Sequence, residues 1–251
     1  MAVPLRFVPG WCVPRNIMFF IVTIIISADE DGAMYGLYVI TDENLSNGLS
    51  HSEVARLACE GGADVIQLRD KYMDRRELLA AARDIRRITD SYNVMFIVND
   101  HLDIAIASEA DGVHLGQEDM GLAEAFMIAG NELLIGISVS SPEEAAKAEK
   151  GGADYIGFGP IFGTSSKLDA GPAVGLSALR DIRKVTEIPI VAIGGINEKN
   201  APSVIEAGAD GVAVISAVVS QSDIKKAAAD LKAIIDAALK HRKAAGDLVY
   251  P

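Results

Sequence analysis

In this chain several charged and small residues follow directly on short apolar runs, where a simple turn would be expected. Arg69 and Lys71 close the run Val65, Ile66, Leu68, and Lys167 ends the segment Thr164-Ser165-Ser166-Lys167. Arginine grips two oxygens in a fork and lysine acts as a compact charge, so three converging cations suit more than one phosphate charge. Asp100 and Asp119 follow two successive runs. With phosphate oxygens and water, two such carboxylates describe a Mg2+ site; the alternative is a general acid/base pair. Gly194 and Gly195, with Ile215 and Ser216 after the next run, read as a phosphate cradle. Glycines let backbone N–H groups approach oxygen, and a helix N-terminus adds partial positive charge.

The elements that must position these residues alternate. Short β-branched runs occur at 35–41, 64–69, 94–99, 111–116, 133–138, 154–159, 188–195 and 210–216. Between them lie segments of helical spacing. One opens on Ser50 with Glu53 three residues later, a capping-box pattern; another places Pro142 directly after Ser141. Strands alternating with helices favour a parallel sheet, and near-continuous apolar strands favour burial on both faces. Eight units over roughly 200 residues predict a closed (β/α)8 barrel, a TIM barrel, as one domain over 34–251. A doubly wound open sheet is the weaker alternative, because no GxGxxG follows the first strand. Gly-Ala-Asp recurs at Gly61–Asp64 (as Gly-Gly-Ala-Asp), Gly151–Asp154 and Gly208–Asp210. It reads as a helix-to-strand joint, with glycine supplying a left-handed C-cap, and as stability rather than chemistry.

In a barrel the site forms at the C-terminal ends of the strands. There the sequence puts Gln67, Arg69 and Lys71; Asn99 and Asp100; His114, Gln117 and Asp119; Ser138; Thr164, Ser166 and Lys167; Gly194 and Gly195; and Ser216. His114 is expected to point into the barrel in a structural role. Asp70 has no assigned role. The pattern describes two phosphate subsites, one cationic and metal-assisted, the other of amides and hydroxyls. It fits an enzyme joining a pyrophosphate-activated group to a phosphorylated acceptor.

The formal net charge of -12 argues against a nucleic-acid or anionic-membrane surface. Two cysteines with unrelated surroundings give neither a disulfide framework nor a zinc site, and a cytoplasmic setting is expected. Residues 1–33 read as an N-terminal extension, a mis-assigned start ahead of Met34 or a disordered segment, in preference to a signal or anchor. Their apolar run is shorter than the about 20 residues that spanning takes.

The segments "LYVITD", "VIQLRDK", "FIVNDHLDIAIASEADGVHLGQEDM", "IGISVSS", "ADYIGFGPIFGTSSK" and "VAIGGI" together resemble the thiamine phosphate synthase (thiamine-phosphate pyrophosphorylase) family, in order from about Leu37 to Ser216. The resemblance implies a (β/α)8 barrel joining 4-amino-2-methyl-5-hydroxymethylpyrimidine diphosphate to a thiazole phosphate. Thiamine phosphate and pyrophosphate would result, with CO2 when the thiazole is carboxylated. It implies that Gln67, Arg69, Lys71, Asn99, Ser138 and Lys167 bind the pyrimidine diphosphate, with Ser138 and Lys167 catalytic. Asp100 and Asp119 would hold Mg2+. Thr164, Ser166, Gly195, Ile215 and Ser216 would bind the thiazole phosphate. Gly163 departs from the family's usual proline in the loop after the sixth strand, and should make that loop more mobile. Small-molecule substrates are expected as the partners, with no nucleic acid and no membrane. Rival readings are a thiazole tautomerase, which would need no pyrophosphate site, and a non-catalytic barrel binding a phosphate ligand, with the N-terminus as a tether. Another phosphate-binding barrel, an epimerase or lyase, is disfavoured by the lack of a clear catalytic Lys or Asp within a strand.

Overall fold

The computed structural model describes residues 34–130, 132–164, 166 and 171–246; the expected extension 1–33, Ser165 and Lys167 lie outside them. Among the described residues eight parallel strands pair in chain order and close, β8 (Gly211–Val214) returning to β1 (Leu37–Ile40). Between these two run β2 (Val65–Leu68), β3 (Met95–Asn99), β4 (Gly112–Leu115), β5 (Leu134–Val139), β6 (Tyr155–Phe158) and β7 (Ile190–Ile193). The expected (β/α)8 barrel is therefore the fold, with no sheet edge left for an open alternative. The strands are shorter than most of the apolar runs because the paired ladder stops where the chain enters a joint or a loop.

The helices are α1 (His51–Glu60), α2 (Arg75–Tyr92), α3 (Leu102–Ala107), α4 (Leu122–Ala129), α5 (Pro142–Lys150), α6 (Gly175–Arg183) and α7 (Ala201–Glu206). A four-residue turn, α8 (Ser216–Val219), precedes the last helix, α9 (Ile224–Ala244). The caps read from sequence are formed. The Ser50 hydroxyl and the Glu53 carboxylate satisfy each other's backbone N–H, and Ser141 accepts from the Glu144 N–H at 3.2 Å.

Two apolar cores result. The larger lies between strands and helices and includes Leu37, Val39, Ile66, Leu68, Phe96 and Val98. The smaller fills the barrel with Tyr35, Tyr38, Ile40, Val65, Ile97, Tyr155, Val191 and Ala213. Successive residues of a strand point to opposite faces, so Leu37 and Val39 face the helices while Tyr38 and Ile40 face the interior.

The repeated joints have a shared geometry. Asp64, ahead of β2, accepts the Leu37 N–H at 2.7 Å, while its own N–H donates to the Leu37 carbonyl at 2.9 Å. The carboxylates of Asp111, Asp154 and Asp210 do the same for the N–H groups of Phe96, Ile135 and Ile190, at 2.7, 2.7 and 2.9 Å. Each of these aspartates also donates its backbone N–H to that same residue's carbonyl. The aspartate thus satisfies both backbone groups of one residue at the start of the preceding strand, where a ladder would otherwise fray. The glycine assignment needs correction. Gly208 is left-handed at φ 114°, but Gly61 and Gly151 are right-handed at -84° and -74°. There the second glycine, Gly62 or Gly152, takes φ 88°. Gly61 is small for another reason: a Cβ on it would lie 2.5 Å from the Lys225 carbonyl of α9.

Candidate active site

A cavity of about 670 Å3 opens at the C-terminal ends of the strands. Gln67, Arg69, Asn99 and Ser138 line it on one side, and Thr164, Ser166, Gly194, Gly195, Ile215 and Ser216 on the other. The polar residues that sequence reading put after β2, β3 and β5 thus face those put after β6, β7 and β8 across one space.

On the first side, the loop after β2 is held by the residue that had no role. The Asp70 carboxylate accepts the N–H groups of Tyr72 and Met73, both at 2.7 Å, and its other oxygen lies 3.2 Å from His51 Nε2. The buried His51 ring reaches Thr41, at the end of β1, through Nδ1 at 2.7 Å. Burial works to raise the Asp70 pKa, but the two amides and His51 hold it below the usual carboxylate range. Asp70 therefore shapes the turn that carries Arg69 and Lys71. Arg69 is mostly buried, 3.9 Å from Asp42.

Asp100 follows β3 in the left-handed region, φ 62°, with its N–H donating to the His114 carbonyl at 2.8 Å. Backbone strain of this kind in a non-glycine residue persists where neighbours fix it. Asp119 is fixed by the turn after β4, where its carboxylate accepts the Gly116 N–H at 2.7 Å. The two carboxyl groups meet in a hydrogen bond, with Arg69 and Lys71 close enough to act on Asp100. Burial and the neighbouring Asp119 push the Asp100 pKa up to about 6, and the two cations oppose this. Among the described residues no group of three or more His, Cys, Asp or Glu side chains could hold a metal. Two converging carboxylates that resist ionising together nevertheless fit a hard cation that takes its other oxygens from substrate and water.

On the second side, Gly194 and Gly195 take φ values of 100° and 63°, which favour glycine. A Cβ on Gly195 would lie 2.6 Å from the Gly163 carbonyl, so the loops after β6 and β7 are in close contact. The Ser166 hydroxyl reaches that of Ser216 at 3.1 Å, bringing the loop after β6 to the start of α8.

The floor between the two sides is polar, and sequence reading missed its two tyrosines, Tyr38 and Tyr155. Gln67 Nε2 lies 2.7 Å from the Tyr38 hydroxyl, which lies 3.1 Å from that of Tyr155. The Tyr155 hydroxyl lies 3.0 Å from His114 Nδ1, and His114 Nε2 lies 2.9 Å from Ser138 Oγ. His114 points inward as expected, but it touches a candidate site residue rather than merely filling space. Two glycines make the room. A Cβ on Gly136 would lie 2.1 Å from Tyr155 Cζ, and one on Gly157 2.8 Å from His114 Cε1. Glycines inside strands next to a Tyr or His on the same face were the available signal. Of the residues read from sequence, Lys71, Asp100 and Asp119 sit beside the cavity rather than in its lining. Lys167 lies outside the described residues.

The profile of one family, described as thiamine monophosphate synthase, matches residues 37–218. A thiamine-phosphate synthase of Methanocella arvoryzae is 59% identical over 201 residues, covering 80% of this chain and 95% of that protein. Another, of Methanospirillum hungatei, is 55% identical over 192 residues, 76% of this chain and 93% of that protein. The solved thiamine phosphate pyrophosphorylase of Pyrococcus furiosus superposes with a TM-score of 0.77 at 46% identity, over 82% of this chain and 98% of that one. A 3-hexulose-6-phosphate synthase at 20% identity and a TM-score of 0.60, over 79% of this chain and 99% of that one, shares the fold alone.

Proposed function

The chain belongs to the thiamine monophosphate synthase family, and from that premise we propose how its barrel mouth performs the family's transfer. The enzyme is a transferase that forms thiamine phosphate. The substrates are 4-amino-2-methyl-5-hydroxymethylpyrimidine diphosphate and a thiazole phosphate; pyrophosphate leaves, and CO2 too if the thiazole is carboxylated. The reading is carried by one juxtaposition. Gln67, Arg69, Asn99 and Ser138 share a cavity of about 670 Å3 with Thr164, Ser166, Gly194, Gly195, Ile215 and Ser216, and the paired carboxyls of Asp100 and Asp119 stand beside it, within reach of Arg69.

In this reading Arg69, Lys71 and Lys167 neutralise the diphosphate, and Gln67, Asn99 and Ser138 orient the pyrimidine and its leaving group. Thr164, Ser166, Gly195, Ile215 and Ser216 hold the thiazole phosphate opposite. Asp100 and Asp119 would hold Mg2+, which when bound supplies charge compensation for the pyrophosphate. The C–O bond breaks with its electron pair leaving on the diphosphate, whose charge the cations have already matched. The aminopyrimidine delocalises the methylene cation, and the thiazole nitrogen attacks it. No protein nucleophile is needed; the barrel aligns the two partners and keeps out water, which would trap the cation. No helix among the described residues is long and apolar enough to cross a membrane. The cytoplasm is the compartment we assign to the reaction.

The test is a coupling assay with both substrates on protein starting at Met34, reading thiamine phosphate and pyrophosphate. Product is expected with Mg2+, and Asp119→Ala should slow it by at least about 100-fold. Coupling at full rate in excess chelator removes the metal assignment. Isomerisation of a carboxythiazole phosphate without any thiamine phosphate would instead favour the tautomerase.

A further inference from the structure

We infer that Gln67, Tyr38, Tyr155, His114 and Ser138 form one hydrogen-bond chain whose direction is set at Gln67, so that His114 is held as the Nε2–H tautomer and Ser138 keeps its hydroxyl proton for a ligand in the cavity. Each link follows from counting protons. Gln67 Nε2 can only donate, so the Tyr38 oxygen accepts at 2.7 Å. Tyr38 then gives its single proton to the Tyr155 oxygen, 3.1 Å away. Tyr155 in turn gives its own to His114 Nδ1 at 3.0 Å. With Nδ1 accepting, the neutral ring carries its proton on Nε2 and donates to Ser138 Oγ at 2.9 Å. The Ser138 proton then remains available.

The alternatives fail on the same count. An imidazolium would donate from both nitrogens and force Tyr155 to donate to Tyr38. Tyr38 already accepts from Gln67, and its own proton would lack an acceptor in a side chain 1% exposed. Burial raises the pKa of both phenols, so both keep the protons the chain needs. Packing holds the links in place: the Tyr155 ring sits over Gly136, with ring centres of Tyr35 and His114 at 4.8 and 5.4 Å.

The direction gives the cavity opposite polarities at its two ends. Gln67 and Ser138 both line the cavity, and once Nε2 is committed to Tyr38 the first offers a carbonyl acceptor and the second an O–H donor. An amine suits the first and an anionic oxygen the second. On the proposed function, and only there, these are the pyrimidine amino group and the diphosphate. Tyr38, Tyr155 and His114 are then positioning residues that act through Gln67 and Ser138.

The experiment is nitrogen NMR of the whole protein labelled in its histidines, without substrate, with His114 assigned from the signal lost in His114→Gln. A protonated Nε2 and an unprotonated Nδ1 are expected at neutral pH. A protonated Nδ1, alone or with Nε2, overturns the inference, and the parent spectrum decides this by itself. In Tyr38→Phe, which leaves His114 and its neighbours unchanged, the tautomer should become mixed; an unchanged spectrum overturns the role of Gln67. Tyr155→Phe should lower kcat about tenfold, as loss of one oriented hydrogen bond implies, with KM for the thiazole phosphate unchanged. His114→Gln, which retains a donor, should keep more activity than His114→Leu. Equal loss in both variants removes the positioning role. A parent enzyme that makes no thiamine phosphate sinks the proposed function and leaves the tautomer result standing.

Discussion

Replacing Gly136 by alanine tests whether the barrel floor is built as described. The added Cβ would stand 2.1 Å from Tyr155 Cζ and 2.5 Å from its hydroxyl oxygen. Ordinary contact begins near 3.4 Å, so the ring must withdraw by roughly 1.3 Å (3.4 less 2.1). It cannot do so and keep its hydroxyl at 3.1 Å from Tyr38 and 3.0 Å from His114. Overpacking a core costs about 1–3 kcal/mol, and two buried hydrogen bonds about 1 kcal/mol each, giving about 3–5 kcal/mol in all. For a chain of this size that lowers the melting temperature by on the order of 10 °C. Thermal unfolding followed by circular dichroism reads the shift, and the coupling assay should show a parallel loss of turnover. Gly163→Ala is the control. No atom lies within 4 Å of its Cβ position, and its stability should stay within about 0.5 kcal/mol of the parent. A Gly136→Ala protein that melts with the parent would refute the placement of the Tyr155 ring and the floor built on it.

Other perturbations probe other parts of the molecule. Burial, opposed by Lys232 and the Leu37 N–H, pushes the Asp64 pKa up to about 6 from an ordinary 3.8. A raised acid favours the folded state only while protonated, so its contribution is complete below pH 3.8 and lost as pH rises through about 6. Asp64→Asn keeps an acceptor for Leu37 and should remove up to about 3 kcal/mol of that pH dependence, read by denaturant unfolding at pH 4 and pH 7. Asp70→Ala releases the turn that carries Arg69 and Lys71, and should raise KM for the pyrimidine diphosphate about tenfold, read by steady-state kinetics, while the buried His51 losing a partner costs about 1–3 kcal/mol in denaturant unfolding. Arg242 is 5% exposed and binds Asp210 at 2.9 Å and two carbonyls of the α7 region. Arg242→Met should cost about 3 kcal/mol in denaturant unfolding, because Asp210 loses one of two guanidinium partners.

Much of this architecture was legible in the sequence because each local signal pointed the same way. Ser50 with Glu53, and Ser141 with Pro142, mark helix starts that form, and the recurring aspartates mark strand starts. The candidate site residues end strands or follow them, so closure of the barrel brings them to one mouth. The floor was harder to read. Tyr38 and Tyr155 look like ordinary strand aromatics, and their hydroxyls acquire partners only through a register that links residues 117 apart. Asp70 had no role because its histidine partner lies 19 residues earlier, at the start of α1. At Gly61 and Gly151 the left-handed joint residue was placed one position early, because sequence does not say which of two adjacent glycines turns and which merely clears space.

The aspartate joints divide the barrel in a way its strand order does not. Each clamp ties an even-numbered strand's entry to the odd-numbered strand before it: Asp64 to Leu37, Asp111 to Phe96, Asp154 to Ile135, Asp210 to Ile190. A chain cut just ahead of β5 would leave two clamps whole in each fragment, whereas a cut between β1 and β2 would put Asp64 and Leu37 on different pieces. The carboxylate clamps thus pair the strands two by two, while the backbone carbonyls of Asp64 and Asp111 accept the Met95 and Leu134 N–H groups and carry the connection on to the next pair.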